Sequence, residues 1–207
     1  MKNKKHGGTA LMLAGLVLLA CAAALTFVNI RRQNEAGEEA VRVLSSLQTA
    51  IVQSQEPETA SDDERVSVDE SIPPEARLMP SCPIDGEEYI GVLQIPKLGL
   101  ELPVLKEWSM PLLQQAPCLY YGSVYTRDMV ICAHNYSTHF GRLTELSVGD
   151  ELLFFGADGQ LHSYVVAEFE TLAPTDVEYM TDGEWPLTLF TCTWGGRSRV
   201  TVRCEEA

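Results

Sequence analysis

An uncharged run of 24 residues near the N-terminus, residues 7–30, constrains this chain of 207 residues more than any other feature. The run is rich in Leu, Ala and Val, and Lys2, Lys4 and Lys5 precede it. A helix of about 20 apolar residues crosses a bilayer core, so this run is long enough to span a membrane with some tilt. A cleavable signal peptide has a shorter apolar core of about 7–15 residues. We therefore expect an uncleaved transmembrane helix over residues 7–30.

A lipid anchor is the alternative to a spanning helix. The sequence Leu-Leu-Ala-Cys that ends at Cys21 resembles a bacterial lipoprotein processing site, but the apolar run continues through residues 22–28. Under the positive-inside rule, Arg31 and Arg32 behind the run nearly balance the lysines before it. Because the acidic bulk of the chain follows the helix, we expect residues 1–6 in the cytoplasm and the remainder outside the cell.

The charge of the chain excludes one class of partner. The first 32 residues hold five of the 15 basic side chains and no acidic one, so residues 33–207 carry 10 basic and 29 acidic groups. Nucleic-acid binding needs clustered Lys and Arg to contact phosphates, and we therefore expect no nucleic-acid partner. Six cysteines at irregular spacing also do not form a small disulfide scaffold.

Residues 31–81 have the composition of a stalk. Residues 35–55 carry apolar positions at helical spacing, which predicts one short amphipathic helix, packed on the following domain or lying near the membrane. Residues 54–80 are acidic and rich in Pro and Ser, and they show no periodicity. Such composition is typical of a flexible linker that holds a domain away from the membrane.

Residues 82–207 predict one all-β domain. Short runs rich in β-branched and aromatic residues recur between turn signals, and their spacing favours a barrel or a sandwich over a βαβ fold. A short helix is expected around residues 139–146. The eight predicted strands are 89–95, 100–105, 118–121, 129–133, 151–155, 161–169, 186–192 and 199–204.

Three residue types with complementary chemistry lie at strand ends. His134 and Cys192 each end an apolar strand, and Arg199 begins the last strand. A neighbouring imidazole can take the proton of a thiol, and a guanidinium can stabilise the oxyanion that forms when the thiolate attacks a carbonyl. On composition alone, a cysteine in a strand is also a common core residue. A buried, inert Cys192 is therefore the alternative.

The motif around Cys192 resembles a known family. Residues 188–192, Thr-Leu-Phe-Thr-Cys, match the Thr-Leu-x-Thr-Cys signature of the sortases, which are cysteine transpeptidases of Gram-positive bacterial surfaces. Residues 89–98 resemble the first strand of that family, residues 131–135 the strand that delivers its histidine, and residues 198–202 the strand that carries its arginine. The resemblance covers about residues 88–204. It implies a closed eight-stranded β-barrel with one or two short helices, after the N-terminal transmembrane helix.

The resemblance also implies roles for single residues. Cys192 would be the nucleophile that attacks the Thr–Gly bond of an LPXTG-like sorting signal and forms a thioacyl enzyme. His134 would be the general acid and base, and Arg199 the oxyanion and substrate-orienting residue, with Arg197 as its rival. Thr191 is expected to line the oxyanion region. The implied partners are sorting-signal peptides and an amine acceptor, which is a peptidoglycan precursor or a pilin.

Other functions remain as alternatives. A non-catalytic surface β-domain would bind a peptide or a cell-wall ligand without turning it over, and a hydrolase would use the same residues with water as the acceptor. The acidic residues 169–186 should hold a substrate-lining loop, which either steers a basic substrate or is simply a solvated loop. The sequence contains no lid with an obvious plugging motif, which disfavours the lidded pilin-polymerising class.

The remaining cysteines suggest no metal site. Cys132, His139 and Cys204 lack the paired close spacing of structural zinc ligands, so we expect neither a metal nor a cofactor. The disulfide state of the four cysteines outside the motif is open from the sequence. These are Cys82, Cys118, Cys132 and Cys204.

Overall fold

The computed structural model describes residues 4–55 and 72–207. Contacts divide the chain into two units, one up to Glu35 and one from Ala36 onward. The first three residues of the predicted cytoplasmic N-terminus and residues 56–71 of the predicted linker lie outside the described residues.

Helix α1 extends over Lys4–Gln55. It contains one segment that is long and apolar enough to cross a membrane, and this segment includes most of the predicted span 7–30. The helix does not end at residue 30, because the sequence up to Gln55 contains no proline and is rich in good helix formers. The boundary predicted between anchor and stalk therefore falls inside a continuous helix.

Besides α1, the described part of the chain contains nine strands and one short α-helix. Helix α2, Val177–Met180, lies between the seventh and eighth strands, and a single 3₁₀ turn at Leu143–Glu145 stands where a helix over 139–146 was expected. The strands are β1 Cys82–Ile84, β2 Glu87–Ile95, β3 Leu100–Leu105, β4 Cys118–Tyr121, β5 Met129–Ala133, β6 Glu151–Gly156, β7 Leu161–Leu172, β8 Leu187–Cys192 and β9 Arg199–Glu206.

The strands form the closed barrel that the resemblance implied. Their order in the sheet is β1-β2-β3-β4-β5-β8-β9-β7-β6, and β6 pairs back with β2. Strands β2 to β9 therefore close an eight-stranded barrel, and β1 adds a short antiparallel strand to β2 outside the closure. The predicted all-β class and strand number are confirmed. Two pairs are parallel, β3 with β4 and β5 with β8.

The second half of α1 packs on the barrel. Its buried residues recur every three or four positions, as an amphipathic helix requires. Three of them, Val43, Leu47 and Ile51, belong to a buried cluster on the outside of the sheet that also includes Tyr89, Val92 and Cys132. The buried positions of the helix are Ala36, Ala40, Val43, Leu47 and Ile51.

Polar contacts add to this packing. Arg42 Nη1 lies 3.1 Å from Asp85 Oδ2, and Gln48 Nε2 donates a hydrogen bond of 2.7 Å to Glu101 Oε1. Between them, these contacts join the helix to the β1–β2 turn and to β3. Of the two positions expected for an amphipathic stalk helix, this segment occupies the one against the domain.

Gly91 permits the barrel to close. It pairs with Gly156 where β2 meets β6. A Cβ atom at this position would lie 2.1 Å from the backbone oxygen of Phe155 and 2.8 Å from the Phe154 ring. Because a backbone atom cannot move aside as a flexible side chain can, only glycine allows the two strands to approach this closely.

We expect Gly91→Ala to lower the free energy of unfolding by about 3 kcal/mol, because the added methyl group overlaps the backbone of β6. Gly99→Ala is the matched control, since Gly99 has a φ of +62° but open space where the added methyl group would lie. That substitution should cost only about 1 kcal/mol of backbone strain. Equal losses for the two variants in denaturant titrations would contradict the role of Gly91 in closure.

Candidate functional site

Cys192, Arg199 and His134 occupy one row across neighbouring strands. Cys192 and Arg199 are direct partners in the antiparallel pair of β8 and β9. Ala133 and Thr191 are partners in the parallel pair of β5 and β8, so the next residue on each strand places His134 beside Cys192. Directly paired residues project from the same face of a sheet, and this row therefore brings together the three predicted catalytic residues.

The row lies on the outer face of the barrel. Leu189 and Val202, which are partners on β8 and β9, belong to the buried interior. Since side chains alternate along a strand, Cys192 points away from that interior, and it is half-buried rather than fully buried. Cys192 is therefore not a buried core residue, which was the alternative on composition alone.

Thr191 joins the two strands that carry Cys192 and His134. Its hydroxyl donates a hydrogen bond of 2.8 Å to the carbonyl of Ala133, and the side chain is buried. Thr191 lies on the face opposite to Cys192. The bond fixes the end of β8 against the end of β5, and a role of Thr191 toward substrate stays a prediction.

A six-residue hairpin connects Cys192 to Arg199. Its ends are held by the Thr193 amide, which donates to the Ser198 carbonyl at 2.9 Å. Arg199 Nη1 donates to the carbonyls of Gly196 and Ser198, each at 3.2 Å. Arg197 lies within the hairpin and is exposed. The hairpin thus presents Arg199 in the strand pair and Arg197 in the loop.

Two further rings pack behind His134. The His134 and Tyr136 rings have centroids 4.9 Å apart, and Tyr136 is 5.5 Å from the ring of His139. The loop folds back on itself, since the Phe140 amide donates to the His134 carbonyl at 3.2 Å. His139 has 0% exposure, and neither of its ring nitrogens has a hydrogen-bond partner.

Burial governs the protonation of both histidines. It lowers the pKa of His134 from its ordinary value, which favours the neutral imidazole that can accept a proton. It lowers the pKa of His139 to about 4, with a smaller contribution from His134 in the same direction. The backbone carbonyl of Gln115, which is near the ring without completing a hydrogen bond, opposes this shift. His139 is therefore neutral at neutral pH.

Aromatic side chains continue from Cys192 along the outer face. Phe190 lies two residues before Cys192 on the same face of β8, and its ring meets Tyr120 edge-on at 5.1 Å. Tyr120 in turn lies 5.5 Å from Trp108, which is about half exposed on the β3–β4 loop. These three rings form an apolar surface that begins beside the thiol.

The acidic stretch 169–186 is partly structural. Met180 at the end of α2 is buried, and its Sδ lies 4.0 Å from Thr201 Oγ1. Glu170 pairs with Arg203 at 2.6 Å, and Asp176 accepts a hydrogen bond of 2.9 Å from the Ala173 amide. Glu170 thus lies in β7, which extends to Leu172, rather than in the predicted loop, while Asp176 holds the turn that follows the strand.

The other thiols of the barrel are less available than Cys192. Cys118 and Cys132 are direct partners on β4 and β5, and both are buried free thiols. Burial raises the pKa of Cys132, and it raises the pKa of Cys118 and of Cys204 to about 12. Within residues 4–55 and 72–207, no group of three or more His, Cys, Asp or Glu side chains could hold a metal ion.

Several neighbours of the site were not anticipated from the sequence. The alternation of Thr188, Phe190 and Cys192 was a usable signal, because it places Phe190 on the face of the thiol. The spacing of Arg199 and Arg203 likewise places both on one face of β9. The packing of His139 near His134 depends on the turn at 134–141, and no pattern in the sequence indicates it.

Comparison with known proteins gives a consistent result. The family model described as Sortase domain matches residues 93–207. Sortase C from Streptococcus pneumoniae is 20% identical, with a TM-score of 0.51 over 82% of this chain and 95% of that chain. Sortase A from Listeria monocytogenes is 20% identical, with a TM-score of 0.52 over 57% of this chain and 87% of that chain.

A third solved structure agrees in fold. The lid mutant of sortase A from Corynebacterium diphtheriae is 19% identical, with a TM-score of 0.51 over 81% of this chain and 95% of that chain. At these identities the structural likeness establishes the fold alone. No curated protein matches the chain.

The buried His139 should make stability depend on pH. Its pKa in the folded chain, about 4, lies below the ordinary 6.5, so the unfolded chain binds the proton first as the pH falls. The stability associated with neutral His139 is full above about pH 6.5 and is lost toward pH 4, by about 3 kcal/mol in all. Denaturant titrations should show a shallower loss for His139→Phe. Parallel pH profiles for variant and wild type would contradict this assignment.

Proposed function

The chain belongs to the sortase family, and on this premise we propose that it is a membrane-anchored transpeptidase with Cys192 as its nucleophile. Family membership implies a cysteine transpeptidase that uses sorting signals and amine acceptors. We further propose that the substrate is an LPXTG-like sorting signal and that the acceptor is an amine of a peptidoglycan precursor or of a pilin.

The alignment of His134, Cys192 and Arg199 is the observation that carries the proposal. The three residues share one row on the outer face, next to solvent, where a peptide can reach them. A general base, a nucleophile and a permanent cation are the groups that acyl transfer through a thioester requires. A binding domain without catalysis would not need this row at the ends of three strands.

The first half-reaction forms the thioacyl enzyme. His134, kept neutral by burial, accepts the proton of the Cys192 thiol. The thiolate attacks the carbonyl carbon of the signal's threonine, and Arg199 stabilises the resulting oxyanion. The imidazolium of His134 then protonates the glycine amine as the Thr–Gly bond breaks, which leaves the threonine acyl group on the sulfur.

The second half-reaction releases the product. The amine of the acceptor attacks the thioester carbonyl while His134 takes a proton from the amine. The tetrahedral intermediate again places its oxyanion at Arg199. As it collapses, the C–S bond breaks, and the departing Cys192 thiolate takes the proton back from the His134 imidazolium. With water in place of the amine, the same steps give hydrolysis, which we propose as the side reaction.

Arg199 is the better candidate of the two arginines for the oxyanion. It is the direct cross-strand partner of Cys192, whereas Arg197 lies exposed in the hairpin. A residue in a paired strand is held more firmly than one in a loop, and preorganisation is what makes an oxyanion contact effective. Arg197 is then left to contact substrate at the rim.

We propose that α1 anchors the enzyme in the membrane as a single span. Support comes from the apolar segment near the N-terminus, which is long enough to cross a bilayer. We further propose a cytoplasmic N-terminus and an extracellular barrel, because three lysines precede the span against two arginines directly after it, and because the chain beyond the span is acidic.

Intact mass of the full chain in detergent micelles, after incubation with sorting-signal peptides and no amine, tests the chemistry. We expect an adduct equal to the peptide truncated after its threonine, because Cys192 retains the acyl group until an acceptor arrives. The full chain is used because the helix segment 36–51 covers part of the barrel.

Cys192→Ala should abolish the adduct, and Cys82→Ala is the matched control because Cys82 is also a half-buried free thiol. Truncated peptide without an adduct would indicate rapid hydrolysis of the thioester. Neither adduct nor truncated peptide, with an alkylatable Cys192 thiol, would overturn the transpeptidase proposal in favour of a binding domain.

Alanine substitution should separate the two arginines. We expect Arg199→Ala to lower kcat/KM for peptide cleavage by about 100- to 1,000-fold, since one oxyanion contact is lost. Arg197→Ala should change kcat/KM by no more than about threefold, as for an exposed charge. The reverse order would transfer the oxyanion role to Arg197.

A further inference from the structure

Arg203 is a buried cation that makes contacts with three separate elements. Its side chain is 2% exposed, and its Nε donates to Glu170 Oε2 at 2.6 Å. Its Nη1 donates to Thr188 Oγ1 at 3.0 Å and to the Met180 carbonyl at 3.3 Å. Its Nη2 donates to the Tyr179 carbonyl. The guanidinium thereby connects β9 with β7, β8 and α2.

The register places Arg203 away from the reacting atoms. On the outer face, directly paired residues form three rows that run across β8, β9 and β7. Arg203 lies four residues after Arg199 on β9, a separation of about 13 Å along a strand. Arg203 therefore cannot touch a carbonyl at Cys192. The rows are Cys192–Arg199–Leu172, Phe190–Thr201–Glu170 and Thr188–Arg203–Glu168.

Helix α2 depends on contacts outside itself. It has four residues, and a single helical turn is not stable in isolation. Val177 and Tyr179 are largely exposed, and Met180 is the only buried residue of the helix. The last carbonyls of a helix lack partners within it and favour a cation nearby. Arg203 provides both the cation and the hydrogen bonds to the Tyr179 and Met180 carbonyls.

The position of α2 matters for the surface beside Cys192. Met180 lies on Thr201, in the row between the one that holds Arg203 and the one that holds Cys192. Phe190 is the direct partner of Thr201 and continues toward Tyr120 on the other side. Met180 and Tyr120 thus lie on either side of Phe190, in the row next to the one that holds the thiol.

We propose that Arg203 is a positioning residue that holds α2 as a preformed wall of the substrate groove beside Cys192. This inference rests on the proposed function and adds which residue holds one side of the substrate groove in place. A segment that must become ordered when a peptide binds weakens the apparent affinity, whereas a wall fixed beforehand does not. Loosening the wall should therefore raise KM and leave kcat largely unchanged.

The test combines amide hydrogen exchange with steady-state kinetics on the full chain in detergent micelles. The amides of Met180 and Thr181, which donate to the carbonyls of Asp176 and Val177 at 3.1 Å, report on the opening of α2. Thr188→Val removes one hydrogen bond to the guanidinium at nearly constant volume. We expect about fivefold to tenfold faster exchange of these amides and a rise in KM of similar size, at unchanged kcat.

Two further substitutions vary the strength of the contact. Glu170→Gln removes the charge of the ion pair and should accelerate exchange in α2 by about 10- to 100-fold. Arg203→Lys keeps the charge but loses the planar fork that reaches several acceptors at once, and its effect should be at least as large. Arg127→Met is the matched control, because it removes an exposed guanidinium that pairs with Glu206 at 2.8 Å.

The outcomes separate this inference from the proposed function. Unchanged exchange in α2 for Glu170→Gln and Arg203→Lys would overturn it, and so would exchange that accelerates equally in β2 and α2. A fall in kcat at constant KM would also overturn it, because Arg203 would then act on the chemistry. If wild-type protein cleaves no peptide, the proposed function fails, while exchange in α2 still decides whether Arg203 holds the wall.

Discussion

Strand β8 determines the geometry of the site because it is paired on both sides, in parallel with β5 and antiparallel with β9. Each pairing fixes a register, and the two registers together align His134, Cys192 and Arg199. A slip of one residue would turn Cys192 toward the interior, since side chains alternate between faces. The bond from Thr191 to the Ala133 carbonyl lies at the strand ends, where a slip would begin. The site therefore depends on backbone register more than on contacts among its own side chains.

Burial distinguishes one thiol from others of identical chemistry. Cys118, Cys132 and Cys204 are buried, and burial raises the pKa of each of these thiols above its ordinary value. A thiol that stays protonated is a poor nucleophile, so these cysteines contribute to packing. Cys192 differs because it stands at the end of a strand, on the outer face, beside a histidine. Position in the barrel, and not residue type, therefore distinguishes Cys192 as the candidate nucleophile.

Local patterns in the sequence predicted the strands well, because alternation is a property of each strand alone. The eight expected strands are confirmed, and β1 was missed because three residues are too short to show a period. Closure of the barrel is a long-range property that came from the family resemblance, and the close approach at Gly91 has no local signal. Helix α1 extends past residue 30 because composition changes there while helix propensity does not. The burial of His139 also depends on contacts with residues far away in the sequence, so no local pattern predicts it.

Arg199 and Arg203 show why sequence alone could not assign the site completely. The sequence offered Arg197 as the rival of Arg199 for the oxyanion and assigned no role to Arg203, although alternation places Arg199 and Arg203 on the same face of β9. Their surroundings differ, because Glu170 neutralises Arg203, whereas no carboxylate pairs with Arg199 in the described part of the chain. A guanidinium that contacts only hairpin carbonyls keeps its positive charge available to an oxyanion. The absence of such a partner among the described residues supports the proposed oxyanion role of Arg199, whereas Arg203 is held by its contacts with Glu170, Thr188 and α2.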